Sequence, residues 1–149
     1  VFDKLQSVLG QALFSIGAVK GVEFGDGFSV SKLKGSQNND AFFADENGNI
    51  QKKSNHSGGI LGGISDGSPL VFRLAFKPTP SIYKTQQTIT KYGENININI
   101  KGRHDPIIVP RAVVVVEAMT AIAIVDLLFQ NMVSNINSII NFYQLWREF

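Results

Sequence analysis

The sequence contains no cysteine among its 149 residues, and charged residues make up only 17% of it. Without cysteine the chain forms no disulfide, binds no metal through a thiolate and has no cysteine nucleophile, and we expect a cytoplasmic, reducing location. The net charge of +2 is too small for the basic surface of a nucleic-acid-binding domain, so we expect no nucleic-acid partner. No two His, Asp or Glu residues have a familiar metal-ligand spacing, so no metal site is predicted.

Long uninterrupted apolar runs are also scarce. The one candidate for a membrane span, Ala112–Phe129, is interrupted by Glu117 and Asp126 and falls short of the roughly 20 apolar residues that a span needs. The N-terminal residues lack a basic segment ahead of a continuous apolar stretch, so they do not resemble a signal peptide. We therefore expect a soluble protein without membrane contact, in which Ala112–Phe129 is a core helix.

Hydrophobic residues make up 44% of the chain, which is enough for one core, so a single domain over residues 1–149 is expected. Asp3 and Gln6 have the spacing of a capping box, and the apolar residues that follow recur at helical spacing. These two signals predict a first helix over about Lys4–Ile16. The β-type residues and glycines of Lys20–Val30 predict an irregular strand.

The middle of the chain is polar and rich in glycine. Lys34–Gly67 is predicted to be a long loop, and its Asp45–Gly48 stretch has the composition of a turn. Long loops in compact domains are usually either functional or disordered, and both readings stay open here. Pro69–Phe76 is compact and apolar, which predicts a strand after the loop.

The second half of the chain combines a hairpin pattern with helical patterns. Thr85–Thr90 and Asn95–Ile100, separated by a glycine turn, predict an antiparallel hairpin whose alternating isoleucines share one buried face. After Pro110 the pattern is helical through about Asn135, and a polar helix to Phe149 is predicted after it. Helix, strands, loop, strands and helix in this order favour an α+β fold with an antiparallel sheet packed on helices.

A glycine-rich segment is the first place where a ligand could bind. Asn55–Gly67 contains five glycines but matches neither a dinucleotide-binding pattern nor a Walker A loop. Such glycines either let the backbone approach a flat or anionic ligand or serve only the conformation of the loop, and the sequence leaves both readings open. His56 within this segment is either structural or a catalytic candidate.

Two further segments present cations and hydroxyl groups. Phe76–Ile82 carries Lys77 and two hydroxyls on a backbone stiffened by proline, which could hold a phosphate or form a bent edge strand. In Gly102–Pro106, Arg103 could bind a carboxylate or phosphate through two parallel hydrogen bonds, and Asp105 precedes a proline that restrains the backbone. The alternative for this segment is a surface loop of ion pairs.

Taken together, these segments resemble the motifs of chorismate synthase. The resemblance is carried by "AVKGVEFGDGF" (Ala18–Phe28), "SNHSGGILGGISDG" (Ser54–Gly67), "FKPTPSI" (Phe76–Ile82) and "GRHDPIIVPRAVVVVEAM" (Gly102–Met119), in family order and at family-like spacing. It covers nearly the whole chain but only the C-terminal part of that enzyme, less than half of it. Residues 1–149 are then a C-terminal portion of a single domain, and the fold implied is part of a β-α-β sandwich.

The resemblance implies a reaction and its participants. The family converts 5-enolpyruvylshikimate 3-phosphate to chorismate and phosphate by anti-1,4-elimination in the shikimate pathway of aromatic amino acid biosynthesis, with reduced FMN as cofactor and no net redox change. It also implies a homotetramer, and it leaves the source of reducing equivalents, NADP-linked or other, open. The family's histidine motifs and its serine- and arginine-rich substrate loop have no counterpart in this sequence. The isolated chain is therefore expected to be inactive.

Site residues follow from the resemblance position by position. The implied FMN contacts are Gly17, Ala18, Gly62, Lys77, Pro78, Thr79, Pro80, Ser81 and Arg103. Arg103 also lies where the family brings substrate against flavin, and Asp105 matches the aspartate that assists proton transfer at the flavin's reactive nitrogen. Gly17 stands where the family commonly has asparagine, so a backbone contact is expected there instead of a side-chain contact.

A reading from a different class competes with the enzyme. The chain could be a non-catalytic module that keeps the scaffold for flavin or anion binding or for oligomerisation. The tail Gln144–Phe149 resembles no family segment and favours neither reading. Ile107 and Val114 depart from the family's usual cysteine and proline, but neither departure removes a charged group from the site.

Overall fold

A computed structural model of the chain describes residues 3–146. The helices are α1 (Leu5–Phe14), α2 (Val109–Val133) and α3 (Ile136–Trp146), with one 3-10 helix at Gly27–Lys32. The strands are β1 (Val19–Phe24), β2 (Phe42–Ala44), β3 (Ile50–Lys52), β4 (Ile60–Leu61), β5 (Ile64–Ser65), β6 (Phe72–Phe76), β7 (Gln86–Ile89) and β8 (Asn95–Ile98). This is the α+β composition that the sequence predicts, with antiparallel strands and helices in contact.

The strands form four separate two-stranded antiparallel ladders, where the sequence analysis expected one sheet. Three ladders are local hairpins that join β2 to β3, β4 to β5 and β7 to β8. The fourth joins β1 to β6, which are far apart in the sequence, with Val19 opposite Phe76 and Phe24 opposite Phe72. The β1–β6 ladder therefore brings the end of the first helix to the start of the KPTPS segment, Lys77–Ser81.

Helix α1 supplies most of the buried core. Leu5, Leu9 and Leu13 recur every four residues, so they share one face, and Leu9 and Leu13 are 0% exposed. This face contacts Ile60 and Ala123 in the core. Burying a leucine side chain fully contributes about 1.5–3 kcal/mol, so the stripe fixes how α1 sits on β1, β6 and α2.

The predicted capping box does not form at the start of α1. The N-cap residue is Lys4, and it makes no side-chain capping bond. Instead, the backbone N–H of Leu5 donates a hydrogen bond to the carbonyl of Gly63 at 2.8 Å. A loop carbonyl thus satisfies one of the helix's exposed donors, which is why the Asp3 and Gln6 side chains are not needed for this purpose.

Two predicted boundaries differ from the structure because of local turns. The strand predicted over Lys20–Val30 ends at Phe24, since Gly25 and Gly27 adopt positive φ angles of 56° and 54° and turn the chain into the 3-10 helix. The loop predicted over Lys34–Gly67 contains two short hairpins. Its predicted turn is confirmed, because the Asp45 carboxylate accepts backbone hydrogen bonds from Asn47 at 2.9 Å and Asn49 at 2.8 Å.

The predicted hairpin of β7 and β8 is present, but its isoleucine face is not buried. Ile96 and Ile98 are 41% and 42% exposed. The alternation of the two strands is as predicted, since Thr88 lies opposite Ile96 and Gln86 opposite Ile98. The alternating pattern therefore predicts correctly which residues share a face of the hairpin. Burial of that face would require another surface packed against it, and the described residues provide none.

Helix α2 has the predicted extent, but it is more exposed than the predicted core helix. It begins at Val109, with Pro110 in its first turn, and Ala123 is its one buried residue. By length and composition it could cross a membrane, and 11% of its most apolar 18-residue window is buried. The core-helix prediction therefore holds for the face that packs on α1 and not for the whole helix. Helix α3 confirms the last predicted helix as far as Trp146, and residues 147–149 lie outside the described part.

The chain leaves α1 through a residue in the left-handed region. Ala18 has a φ of 69°. A side chain in this conformation costs about 1–2 kcal/mol, because Cβ crowds the neighbouring carbonyl. The turn reverses the chain into β1, and the carbonyl of Ala18 then accepts a hydrogen bond from the Lys77 backbone at 2.7 Å. The strain is thus located where α1, β1 and the KPTPS segment meet.

We expect Ala18→Gly to raise the free energy of unfolding by about 0.5–1 kcal/mol, since relief of strain exceeds the added entropy of the unfolded chain. Ala18→Val is the matched control and should lower it, because a β-branched side chain tolerates positive φ poorly. Urea unfolding monitored by circular dichroism measures both. A destabilised glycine variant would mean that Ala18 is not strained.

Candidate functional site

The KPTPS segment is attached to the rest of the fold at both ends. At its start, the backbone N–H of Lys77 donates to the Ala18 carbonyl at 2.7 Å. At its end, the Ser81 hydroxyl oxygen lies 2.8 Å from Nδ1 of His104. These contacts join three predicted site segments, and we call the set Gly17–Ala18, Lys77–Ser81 and Arg103–Asp105 the polar rim.

Thr79, in the middle of the KPTPS segment, has an unsatisfied side chain. Its Oγ1 is buried, and no hydrogen-bond partner for it exists among residues 3–146. Leaving a buried hydroxyl without a partner costs about 1–3 kcal/mol, so such groups are rare in folded proteins. A ligand that brings a hydrogen-bonding group to Thr79 would remove this penalty.

His104 is held between a side chain and a backbone carbonyl. Its Nε2 lies 3.0 Å from the carbonyl oxygen of Ile100, while Nδ1 faces Ser81. The ring of Tyr83 meets the imidazole edge-to-face with centroids 4.4 Å apart, and the Tyr83 hydroxyl donates to the Gly102 carbonyl. The loop that carries Arg103 and Asp105 is therefore fixed by contacts on both sides of His104.

Arg103, Asp105 and Arg111, near the start of α2, form one ion pair and leave one arginine without an acidic partner in the described part of the chain. Asp105 Oδ2 accepts a hydrogen bond from Nη1 of Arg111 at 3.1 Å, with the two side chains 38% and 72% exposed. An exposed pair of this kind contributes about 0–1 kcal/mol. Arg103 is exposed, and in the described part of the chain no acidic side chain lies within ion-pairing distance of it. Its guanidinium is thus available to an anion.

Gly62 does not join the polar rim. It lies in the turn between β4 and β5, and the adjacent Gly63 accepts the hydrogen bond from Leu5 at the start of α1. Gly17 follows the other end of this ten-residue helix, which spans about 15 Å. A Cβ atom at Gly62 would meet open space, so close packing is not the reason why a glycine occupies this position.

A buried carboxylate holds the glycine-rich segment in place. Asp40, 8% exposed, accepts hydrogen bonds from the backbone N–H of His56 at 2.8 Å and of Ser57 at 2.9 Å. The hydroxyls of Ser54 and Ser57 donate to it at 2.7 Å each. Burial raises the pKa of Asp40, but these four hydrogen bonds outweigh it and hold the pKa well below its ordinary value.

Lys52 completes this network. Its Nζ lies 2.7 Å from Asp66 Oδ2 and 3.7 Å from Asp40 Oδ2, with all three side chains nearly inaccessible. The hydrogen bond from Lys52 lowers the pKa of Asp66. His56 places Nδ1 2.6 Å from Asp26 Oδ2, so its contacts favour the structural reading over the catalytic one. The glycine-rich segment is thus anchored by internal contacts.

Comparison with known proteins bears on what the polar rim can be. A sequence model described as chorismate synthase matches residues 1–129. The chain belongs to the chorismate synthase family. Three curated chorismate synthases are 64%, 60% and 55% identical to it, from Lachnoclostridium phytofermentans, Agathobacter rectalis and Methanocaldococcus jannaschii, over 97%, 97% and 87% of this chain.

The chain spans 39%, 39% and 35% of the length of these three chorismate synthases. A crystal structure of chorismate synthase aligns with 50% of this chain and 22% of its own, at 41% identity and a TM-score of 0.48. Membership of the chorismate synthase family therefore rests on the sequence matches. It concerns these 149 residues, and the activity of a whole enzyme is a separate proposal.

The structure adds residues that the sequence analysis did not single out. His104 and Tyr83 join the rim, and Asp40 and Lys52 anchor the glycine-rich segment. The position of His104 between Arg103 and Asp105 was a sequence signal for it. No sequence signal marked Asp40 and Lys52, because they come from separate parts of a segment that was predicted to be one loop.

We expect Asp40→Asn to lower the free energy of unfolding by about 1–3 kcal/mol, because an amide N–H₂ would face one of the buried donors. The carboxylate, with its depressed pKa, stabilises the fold above its ordinary pKa of 3.8, and this stabilisation is lost as the pH falls through and below that value. The variant should therefore lose less stability than wild type between about pH 5 and pH 2.

Urea unfolding at a series of pH values measures this difference. Asp126→Asn, at an exposed position of α2, is the control and should leave the acid dependence unchanged. Identical acid dependence in the Asp40→Asn variant and wild type would show that the buried network does not contribute to stability.

Proposed function

We propose that this chain is the C-terminal portion of a chorismate synthase, which converts 5-enolpyruvylshikimate 3-phosphate to chorismate and phosphate with reduced FMN. Membership of the family supports the reaction class. The observation that carries the proposal is the buried Thr79 hydroxyl without a partner, in a segment attached at both ends to other residues of the polar rim. A buried hydroxyl without a partner calls for an explanation, and a ligand that hydrogen-bonds to it is the one proposed here.

The residues of the rim fit FMN in their chemistry. Lys77 is an exposed cation next to the hydroxyls of Thr79 and Ser81, a set that suits a phosphate and a polar flavin tail. The backbone at Gly17–Ala18 carries no polar side chain that would block a flat ring. When bound, reduced FMN supplies an electron-rich ring beside the substrate in an elimination without net redox change. The predicted contact of Gly62 stays a prediction.

Arg103 and Asp105 act on the substrate side in this proposal. The Arg103 fork binds a carboxylate or phosphate of the substrate through two parallel, charge-assisted hydrogen bonds. The Asp105 carboxylate holds and transfers a proton close to the ligands. It lies just before the first turn of α2 and pairs with Arg111, and a negative charge is favourable at a helix N-terminus.

The assembly is part of the same proposal. We propose a cytoplasmic homotetramer of the full-length enzyme, without nucleic-acid, membrane or metal partners. Many large apolar side chains of α2 and α3 are exposed in this chain, which supports burial against further protein. They include Val113, Val114, Leu128, Phe129, Ile140 and Phe142. A flavin-binding module without turnover is the competing outcome, and the next two experiments distinguish it.

In the full-length enzyme we expect Asp105→Asn to slow turnover about a hundredfold while FMN binding is kept, because the proton-transferring group is lost and the shape is retained. Arg111→Ala is the matched control, since it removes the same ion pair and leaves the carboxylate. Anaerobic assay with reduced FMN and substrate measures both. Equal losses of turnover in the two variants would mean that Asp105 acts only through its ion pair with Arg111. A wild-type enzyme that binds FMN but shows no turnover would favour the non-catalytic flavin-binding module.

We expect Arg103→Ala to weaken substrate binding about ten- to hundredfold, because one or more charge-assisted hydrogen bonds of about 1.5–3 kcal/mol are lost. Lysine should not restore the affinity fully, since a point charge lacks the planar fork. Substrate titration with FMN present, followed by flavin absorbance, measures this. Arg73→Ala on β6 controls for the loss of an exposed arginine, and wild-type affinity in Arg103→Ala would place the ligands elsewhere.

A further inference from the structure

We propose that His104 is a positioning residue that fixes Ser81 as a hydrogen-bond acceptor, so that Ser81 meets an N–H or O–H group of the flavin and not its phosphate. The inference rests on the proposed function, because it takes FMN as the ligand of the polar rim. It goes further in assigning opposite hydrogen-bonding roles to the two hydroxyls of the KPTPS segment.

The hydrogen bonds of His104 determine which ring nitrogen carries the proton. A backbone carbonyl can only accept, so the 3.0 Å contact between Nε2 and the Ile100 oxygen requires the hydrogen on Nε2. In the neutral imidazole Nδ1 is then an acceptor. The Ser81 hydroxyl, 2.8 Å from Nδ1, must therefore donate its one hydrogen to His104.

The contacts of the His104 ring also oppose its rotation by 180°. The Tyr83 ring packs against it edge-to-face at 4.4 Å, and Tyr83 is itself held by the bond from its hydroxyl to Gly102. A flipped imidazole would present ring carbons to Ser81 and to the Ile100 carbonyl and lose both hydrogen bonds. The tautomer and the orientation of His104 are thus fixed together.

Ser81 can offer a ligand only a hydrogen-bond acceptor. With its hydrogen committed to His104, the Ser81 oxygen has only lone pairs to present, and lone pairs repel the oxygens of a phosphate. A ring imide N–H or a ribityl O–H of flavin has the matching polarity. Thr79, whose Oγ1 has no partner among the described residues, still has its hydrogen to donate. Thr79 and Lys77 therefore suit the phosphate, and Ser81 suits the rest of the flavin.

The test uses the full-length enzyme and two probes, FMN and riboflavin, with dissociation constants measured by flavin fluorescence at about pH 8, where an ordinary imidazole is neutral. We expect Ser81→Ala to weaken both probes by the same factor, about tenfold, because the lost contact does not involve phosphate. Lys77→Ala should weaken FMN more than riboflavin. A flavin methylated on the ring imide then distinguishes the two possible donors. If Ser81→Ala weakens its binding as much as it weakens riboflavin binding, the donor to Ser81 is a ribityl hydroxyl. If Ser81→Ala no longer weakens binding, the donor is the imide N–H.

Two variants of His104 separate positioning from a structural role. His104→Asn places an amide oxygen near the Nδ1 position and should keep flavin affinity within about threefold of wild type. His104→Gln places an amide nitrogen near Nε2, keeps a donor for Ile100 and leaves Ser81 without its acceptor. We expect it to weaken both probes about as much as Ser81→Ala does. A melting curve for each variant shows whether the loop is intact.

Each contrary result is decisive. If Ser81→Ala weakens FMN and leaves riboflavin unchanged, Ser81 serves the phosphate and the inference is wrong. If the asparagine and glutamine variants bind both probes equally well, His104 does not act through Ser81. If wild type binds neither probe, the proposed function fails and this inference fails with it, which distinguishes that case from the other two.

Discussion

The antiparallel pairing of β1 with β6 is the contact on which the polar rim depends. It carries the end of α1 to the KPTPS segment, and the Lys77–Ala18 hydrogen bond extends the ladder by one step beyond the pair of Val19 and Phe76. Pro78 has no N–H to donate, so the ladder stops there. The next residues leave the sheet, so Thr79 lies outside the regular secondary structure.

Two kinds of buried polar group distinguish scaffold from site in this chain. Asp40 is fully satisfied by four hydrogen bonds within a segment of turns, so it stabilises the conformation of the glycine-rich segment and has little capacity left for a ligand. The Thr79 hydroxyl is buried without a partner among the described residues, so, unlike Asp40, it keeps its full hydrogen-bonding capacity for a ligand. This contrast is the reason why the proposed ligand site is centred on the rim.

Local patterns in the sequence predicted most elements, because short-range forces determine them. The leucine spacing of α1, the alternation of β7 and β8 and the Asp45 turn depend on neighbours a few residues away, and each is present. The resemblance to chorismate synthase motifs, which the family match supports, pointed to three rim segments. Two of them are brought together by β1 and β6, and the third contacts Ser81 through His104.

Long-range contacts account for what the sequence could not supply. The start of α1 is satisfied by Gly63, a partner far along the chain, so the capping-box pattern was not informative. Burial of the β8 isoleucines and of most of α2 was predicted from apolarity, but apolar residues become buried only when another surface covers them. The Ser81–His104 contact likewise joins two segments that no local rule relates.

The sequence separation of β1 and β6 also orders the folding of this segment. Pairing them closes a long loop, and the entropy of that closure must be overcome before the ladder forms. The β2–β3 and β4–β5 hairpins lie inside the loop, so their formation before the ladder, with Lys52 and Asp66 joined, would shorten the closure. We therefore expect the pairing of β1 with β6 to be the slow step of folding, and β6 to be a strand edge exposed to aggregation until it pairs.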